Sequence, residues 1–386
     1  MTAQLLTPNI GTAAMEDRDR IDHVSLRADR RARVFATMDA LDLDALMLGR
    51  EPNVRYASGA RRLWTASSRP YGPTAVAVRA TGRIHLMTFS ASYEGAPEEI
   101  PFEDVYCNSF NPGKLLEALL AIPGLAAARR VGVDGFSVFM RDFLPNAVPD
   151  ASFIGVGPQL EALRRTKLPG ELAAMRTAVA IAESSLYAAA RSIEPGTSEK
   201  ALQAAYMARM CELGTSQFAQ QGTFSVVDRG EFRFITGNRV VEAGSSVVLA
   251  GGALWAGYEG SLARTWTCGA PSAGARAVRQ RAERVIDAIT DVCRPGRTGA
   301  DLAGAYRATG ETLPPYPIAS AIGLGHEGSI ANTSLGADFD RETVLAVDQV
   351  VAIRAHVRDG DHCHYAEEMI LVRAAGPERL TTLGTP

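Results

Sequence analysis

The chain has 386 residues, 46% of them hydrophobic and 22% charged, with a formal net charge of −3. That length favours two domains or more, and the near-neutral balance leaves no electrostatic footprint for nucleic acid or an anionic membrane. The five cysteines, Cys107, Cys211, Cys268, Cys293 and Cys363, form no C-x-x-C pair, so neither a disulfide framework nor a structural zinc site is supported.

In chain order, residues 1–24 read as a loose polar arm. They lack the charged n-region and apolar core of a secretory signal, and the expected location is the cytoplasm. No apolar run reaches the roughly 18 residues needed to span a membrane. Arg27 to Leu41 predicts a helix, and short apolar runs follow at 45–49, 74–80, 83–89, 103–107, 130–135 and 151–157, with a helix-like piece at 112–122. Strands alternating with helices predict an α/β domain over residues 25–160.

From Glu161 the pattern changes. Residues 163–193 are Ala-rich and apolar at helical spacing, and Pro195-Gly196 breaks that helix. Thr197 or Ser198 can cap the next one, with Glu199 in its first turn. A hairpin region at 222–269, helices over 273–293 and 299–313, and a strand-rich stretch at 344–383 complete a second domain over residues 161–386. The boundary is expected near 158–163. The hairpin could carry metal-binding carboxylates on its inward face, yet between Val248 and Gly269 it holds one acid, Glu259.

Several motifs occur in order: "LRRTKLPGELAAMRTAVAIAE" from Leu163, "EPGTSE" from Glu194, "GAxxxGYxxSxxRT" from Gly252 to Thr265, "GLGH" from Gly323 to His326, and "AEEMILV" over 366–372. Together they resemble the creatinase and aminopeptidase P family, peptidase M24. The resemblance implies a mixed α/β (α+β) fold, a creatinase-type N-terminal domain followed by a pita-bread catalytic domain. It also implies a homodimer whose active site is completed by the neighbouring subunit.

In the metallopeptidases of that family, two aspartates, a histidine and two glutamates hold two metal ions. Carried over by motif, these positions fall on Ala250, Ser261, His326, Arg354 and Glu367. Metal dications need several anionic or imidazole donors, and an arginine among them repels the ion. The expectation is therefore no dinuclear metal and no cofactor. A competing reading is a mononuclear site from His362 and His364, two apart on one strand face and near Glu367 in sequence, together with His326.

Creatinase is the family's precedent for C–N bond hydrolysis without metal. Residues 53–72 resemble its corresponding segment, and Arg69 matches its substrate-carboxylate arginine. Its catalytic histidine, however, falls on Arg233 and its hairpin glutamate on Ala263, leaving Glu367 as the match to its distal glutamate. Its mechanism does not carry over. Arg69, Arg233 and Arg354 would turn a cation site into an anion site, and guanidinium groups bind carboxylates in bidentate fashion. The bland alternative is a structural salt bridge between Arg354 and Glu367.

His326 and Glu367 are the acid–base candidates, because histidine titrates near neutral pH and a carboxylate beside arginines stays ionised. Tyr258, Glu259, His356 and His364 are further pocket candidates. Cys268 and Cys363 lack a defined base in the sequence. The expected function is a metal-independent hydrolase acting on a C–N bond of a small anionic, nitrogen-containing metabolite. A lyase or decarboxylase using the same acid–base groups, or a catalytically silent binding protein, stands as the alternative.

Overall fold

The computed structural model describes residues 21–60, 73–88, 96–107, 112–135, 138–215, 217–219 and 222–384. The chain divides into two compact units between Arg164 and Arg165.

The first unit contains α1 (His23–Ala40), β1 (Ala45–Leu48), α2 (Glu51–Ser58), β2 (Ala75–Val78), β3 (Arg83–Thr88), β4 (Val105–Cys107), α3 (Pro112–Ala121), β5 (Arg130–Val133), α4 (Val138–Phe143), β6 (Ser152–Gly155) and α5 (Gly157–Arg165). Its apolar runs form one six-stranded sheet in the order β4-β3-β2-β1-β5-β6. β1 runs antiparallel to β2 and parallel to β5. Both strands β1 and β2 are buried along their whole length, as uninterrupted apolar runs in a covered sheet require. Met47, Val76 and Val131 pack with Leu115 and Leu119 of α3. Helix α2 was not expected from the residue pattern. It is anchored by Asp134, just after β5, whose carboxylate accepts from the Gly49 and Arg50 amides and from Asn53 Nδ2.

The second unit contains α6 (Pro169–Ala190), α7 (Glu199–Glu212), β7 (Thr223–Val226), β8 (Ser246–Trp255), β9 (Tyr258–Thr267), α8 (Ala273–Val292), α9 (Gly299–Ala308), β10 (Ala319–Gly323), β11 (Gly325–Ala331), α10 (Ala337–Glu342), β12 (Val350–Asp359), β13 (His362–Arg373) and β14 (Gly376–Arg379). The helix expected over 163–193 is two helices, because Pro169 cannot continue α5 but suits the first turn of α6. Ser198 caps α7 by accepting from the Ala201 amide. The helix expected to reach 313 stops at Ala308, ahead of Gly310 in the left-handed region.

Seven strands lie in the order β11-β10-β12-β13-β9-β8-β7, with β14 pairing with β13. The β8–β9 hairpin turns on Ala256 and Gly257, both at positive φ, which matches the twist of two paired strands. Side chains alternate between the sheet faces. On one face Val351, Ile353, Ala355 and Ile370 pack against Val285 and Ile289 of α8 and Leu302 and Tyr306 of α9. The same face of the hairpin meets α6 so closely that a Cβ on Gly260 would lie 2.2 Å from the Val179 nitrogen. Gly260→Ala therefore forces a helix backbone to move. It should cost about 3 kcal/mol, at the upper end of overpacking costs, read as a lowered urea midpoint.

Residues 380–384 lie along this unit and are held at two points. Glu183 of α6 accepts from Thr382 Oγ1 at 2.8 Å and from the Leu383 amide at 2.6 Å. The buried Arg264 donates to the Leu383 carbonyl at 2.7 Å and pairs with Glu368 at 2.9 Å.

Candidate functional site

The opposite sheet face carries the polar residues. Register sets Ala250 opposite Ala263, Gly252 opposite Ser261 and Leu254 opposite Glu259. Glu367 lies between Ala263 on one side and Arg354 on the other. The positions that the family resemblance assigns to four of five metal ligands therefore do converge. What stands there is a methyl group, a hydroxyl, a guanidinium and one carboxylate.

Arg354 Nε donates to Glu367 Oε2 at 2.6 Å, and its Nη1 donates to Ser320 Oγ at 2.9 Å. Both partners of the pair are largely buried. Burial opposes the Arg354 charge, but Glu367, Tyr365 and Glu259 together hold its pKa above the usual arginine value. This donor set does not fit a dinuclear metal centre: a cation occupies one ligand position and engages the carboxylate of another. Among the described residues no group of three His, Cys, Asp or Glu side chains could hold a metal ion.

Glu259 is buried on the same face. Burial raises its pKa to about 7, repulsion from Glu367 and Glu327 adds to this, and Arg354 opposes it. Nearby, Lys167 Nζ and Glu327 Oε2 form a buried ion pair at 2.6 Å. Two cations thus face three carboxyl groups, and a proton on Glu259 brings the group to neutrality. Two atoms here are buried with no hydrogen-bond partner among the described residues, Ser261 Oγ and Glu367 Oε1. Buried polar atoms of this kind are rare and mark a place where a water or ligand is expected.

His356 lies two residues along β12 from Arg354, on the same face. Its Nδ1 is 2.6 Å from Tyr316 OH and its Nε2 is 3.3 Å from Cys363 Sγ. Phe232, Phe234 and Tyr365 surround this group, with Phe232 and Tyr365 ring centroids 5.1 Å apart. Cys363 therefore has a histidine neighbour that spacing along the chain does not reveal. Burial nevertheless pushes the thiol up to about 12, and burial with Arg358 repulsion pushes His356 down to about 4. The pair stays as neutral thiol and neutral imidazole, so no activated nucleophile results.

Other sequence candidates are placed elsewhere. Tyr258 faces the helices, and its hydroxyl donates to Glu171 Oε1 at 2.5 Å, fastening the hairpin to α6. Arg233 is not brought to the Arg354–Glu367 pair. Its Nη2 donates to Glu199 Oε2 at 2.8 Å, and that carboxylate also accepts from the Val226 and Gly237 amides. His364 is an odd number of residues from Glu367 and so faces the helix side, as does His362, whose ring fills the space over Gly274. The mononuclear site imagined from His362, His364 and Glu367 is split across the sheet. The backbone of His326 pairs with Ile322, but its side chain, like the whole of Arg69, lies outside the described residues. Sequence reasoning missed Lys167 and Glu327. Lys167 is one of three lysines in the chain and Glu327 directly follows the glycine–histidine motif, which was the available signal.

Residues 30–166 match the Creatinase/Prolidase N-terminal domain, and residues 173–374 match Metallopeptidase family M24. A protein of Sinorhizobium fredii described as the uncharacterized hydrolase/peptidase y4tL is 26% identical over 294 residues, covering 70% of this chain and 73% of that one. The prolidase from Pyrococcus horikoshii OT3 superposes with a TM-score of 0.76 at 21% identity, over 92% of this chain and 99% of its own. The X-Pro aminopeptidase from Thermotoga maritima also gives 0.76, at 18% identity, over 92% and 98%. The fold of this chain is that of these peptidases. Two domain matches in the expected order establish that the chain belongs to metallopeptidase family M24.

Proposed function

We propose that the protein is a hydrolase of this family that cleaves a C–N bond in a small anionic, nitrogen-containing substrate without a dinuclear metal centre. The observation that carries the reading is the 2.6 Å contact between Arg354 and Glu367, at the positions of two metal-ligating glutamates. C–N hydrolysis needs an acid for the departing nitrogen and a base for the attacking water. Glu259, with its pKa near 7, is the acid. Glu367, held by Arg354 through Oε2, presents Oε1 as the base, and Ser261 Oγ orients the water. Arg354 makes the site attractive to a carboxylate-bearing substrate. A homodimer in the cytoplasm, with His326 and Arg69 taking part, belongs to the same proposal on the strength of the family resemblance.

A catalytically silent binding protein is the second reading, favoured by the same ion pair, because it already fills two of the five former ligand positions. Metal analysis and turnover separate the possibilities. Protein purified without metal-affinity steps should hold well under one equivalent of Mn, Co or Zn, and hydrolysis of N-substituted amino acids should survive chelators. Two equivalents of metal with chelator-sensitive turnover would overturn the proposal. Failure to turn over any of a broad panel of such substrates would favour the silent reading.

A further inference from the structure

Strands β9 and β13 are paired at Ala263 and Glu367 and then part. Beyond that point the Thr265 hydroxyl stands in for the ladder, accepting from the Tyr365 amide and donating to the Tyr365 carbonyl, both at 2.9 Å. The parting opens a cavity of about 220 Å³ beneath the first turns of α8. Arg276, Arg279 and His364 border it, with the hydroxyl-bearing Ser246 and Thr267, and its lining contains no aspartate or glutamate.

Three features give this cavity one chemical preference. The first is charge, since two arginines a single turn apart on α8 border a space without acids. The second is the start of α8 itself, which is capped by Ser272 and has no acidic residue in its first turn, so its amide dipoles are not offset there. The third is His364, 3% exposed, whose Nε2 has no hydrogen-bond partner among the described residues. Burial, with repulsion from Arg279 and Arg264, pushes its pKa down to about 3, so the ring is neutral and offers one N–H donor. The carboxylate of Glu283 engages Arg279 Nε at 2.9 Å, and Arg276 Nη1 donates to the Pro271 carbonyl at 2.5 Å. Glu283 stands outside the cavity's lining, and the Pro271 carbonyl engages one of the nitrogens of Arg276.

We propose that this cavity, in the gap between β9 and β13 beneath α8, is a second binding site, specific for a small oxyanion such as a phosphate or carboxylate group. Arg276 and Arg279 supply charge, and His364 donates to one anion oxygen. The volume suits a phosphate or a short carboxylic acid.

The site is testable without knowledge of the natural ligand. Calorimetric titrations with inorganic phosphate and, separately, with succinate should give saturable binding of one equivalent for at least one of them, and the preferred arm identifies the anion class. Arg276 and Arg279 both reach the helix surface, so the Arg276→Gln/Arg279→Gln variant should melt like the parent in anion-free buffer. It should bind at least about tenfold more weakly, as loss of charge-assisted hydrogen bonds requires. His364→Gln, which keeps a donor, should retain binding better than His364→Leu. No saturable binding of either anion, or binding unchanged in the double arginine variant, overturns the site. Binding abolished by Arg354→Met would place the anion at the Arg354–Glu367 pair and would overturn it equally.

Discussion

Arg354→Met is expected to lower stability by about 3–5 kcal/mol near neutral pH, the usual result of removing one partner from a buried ion pair. Glu367 would be left without its cation in a buried setting that already holds Glu259 and Glu327. Ser320 Oγ would lose its guanidinium donor as well. The double variant Arg354→Met/Glu367→Leu should recover most of that loss, because two apolar groups of similar volume often replace a buried pair at little cost. Urea unfolding of the parent, both single variants and the double variant gives the coupling energy directly. A single-variant loss under about 1 kcal/mol would mean that the pair behaves as an exposed one and does not organise the site.

Glu259→Gln carries the second large effect, and its sign depends on pH. The folded-state pKa of Glu259, about 7, lies above the ordinary carboxyl value of 4.5. The folded protein therefore holds this proton more tightly than the unfolded chain. Stability falls as pH rises from the unfolded value through the folded one, and is level above that. Glutamine removes this slope. The variant should match the parent near pH 4 and exceed it by up to about 3 kcal/mol near pH 8, given roughly 1.4 kcal/mol per pKa unit. His356 and His364 act oppositely, with folded pKa values of about 4 and about 3 against 6.5. Their contribution is complete above the unfolded value and is lost as pH falls toward the folded ones. Without the opposing slope of Glu259, the variant should lose stability steadily on acidification below neutrality. Its hydrolytic turnover should fall by roughly 10²–10⁴-fold, the usual worth of a general acid. A more stable and still fully active variant would remove Glu259 from the chemistry.

The architecture was legible because its signals are local. Uninterrupted apolar runs marked the covered strands of the first sheet, and Pro195-Gly196 and Ser198 marked the entry to α7. Strand alternation could also have sorted the site candidates. Tyr258 adjoins Glu259 and so faces the other way, and His364 is three residues from Glu367 with the same result. The interactions that decide the chemistry are not local. Lys167 meets Glu327 across 160 positions of sequence, and Arg233 meets Glu199 across 34. Neither pairing has a pattern at any fixed spacing. The protonated state of Glu259 depends on burial and on three charged neighbours at once. An alternating strand shows that Glu259 is inward and says nothing about the company it keeps.

The place of β13 in the sheet has a consequence for how the protein is made. β13 lies between β9 and β12, yet it is synthesised after both. While the ribosome is still producing it, the hairpin of β8 and β9 has already emerged with one edge unpaired, and an unpaired edge invites contact with other chains. Closure of the pita-bread sheet must therefore follow translation of β13 and cannot accompany the hairpin. Slow elongation between residues 268 and 362 prolongs that vulnerable interval, and a product truncated before β13 leaves the sheet in two pieces. Holdase chaperones would find their natural target in the outward edge of β9, for a period set by the rate of protein synthesis.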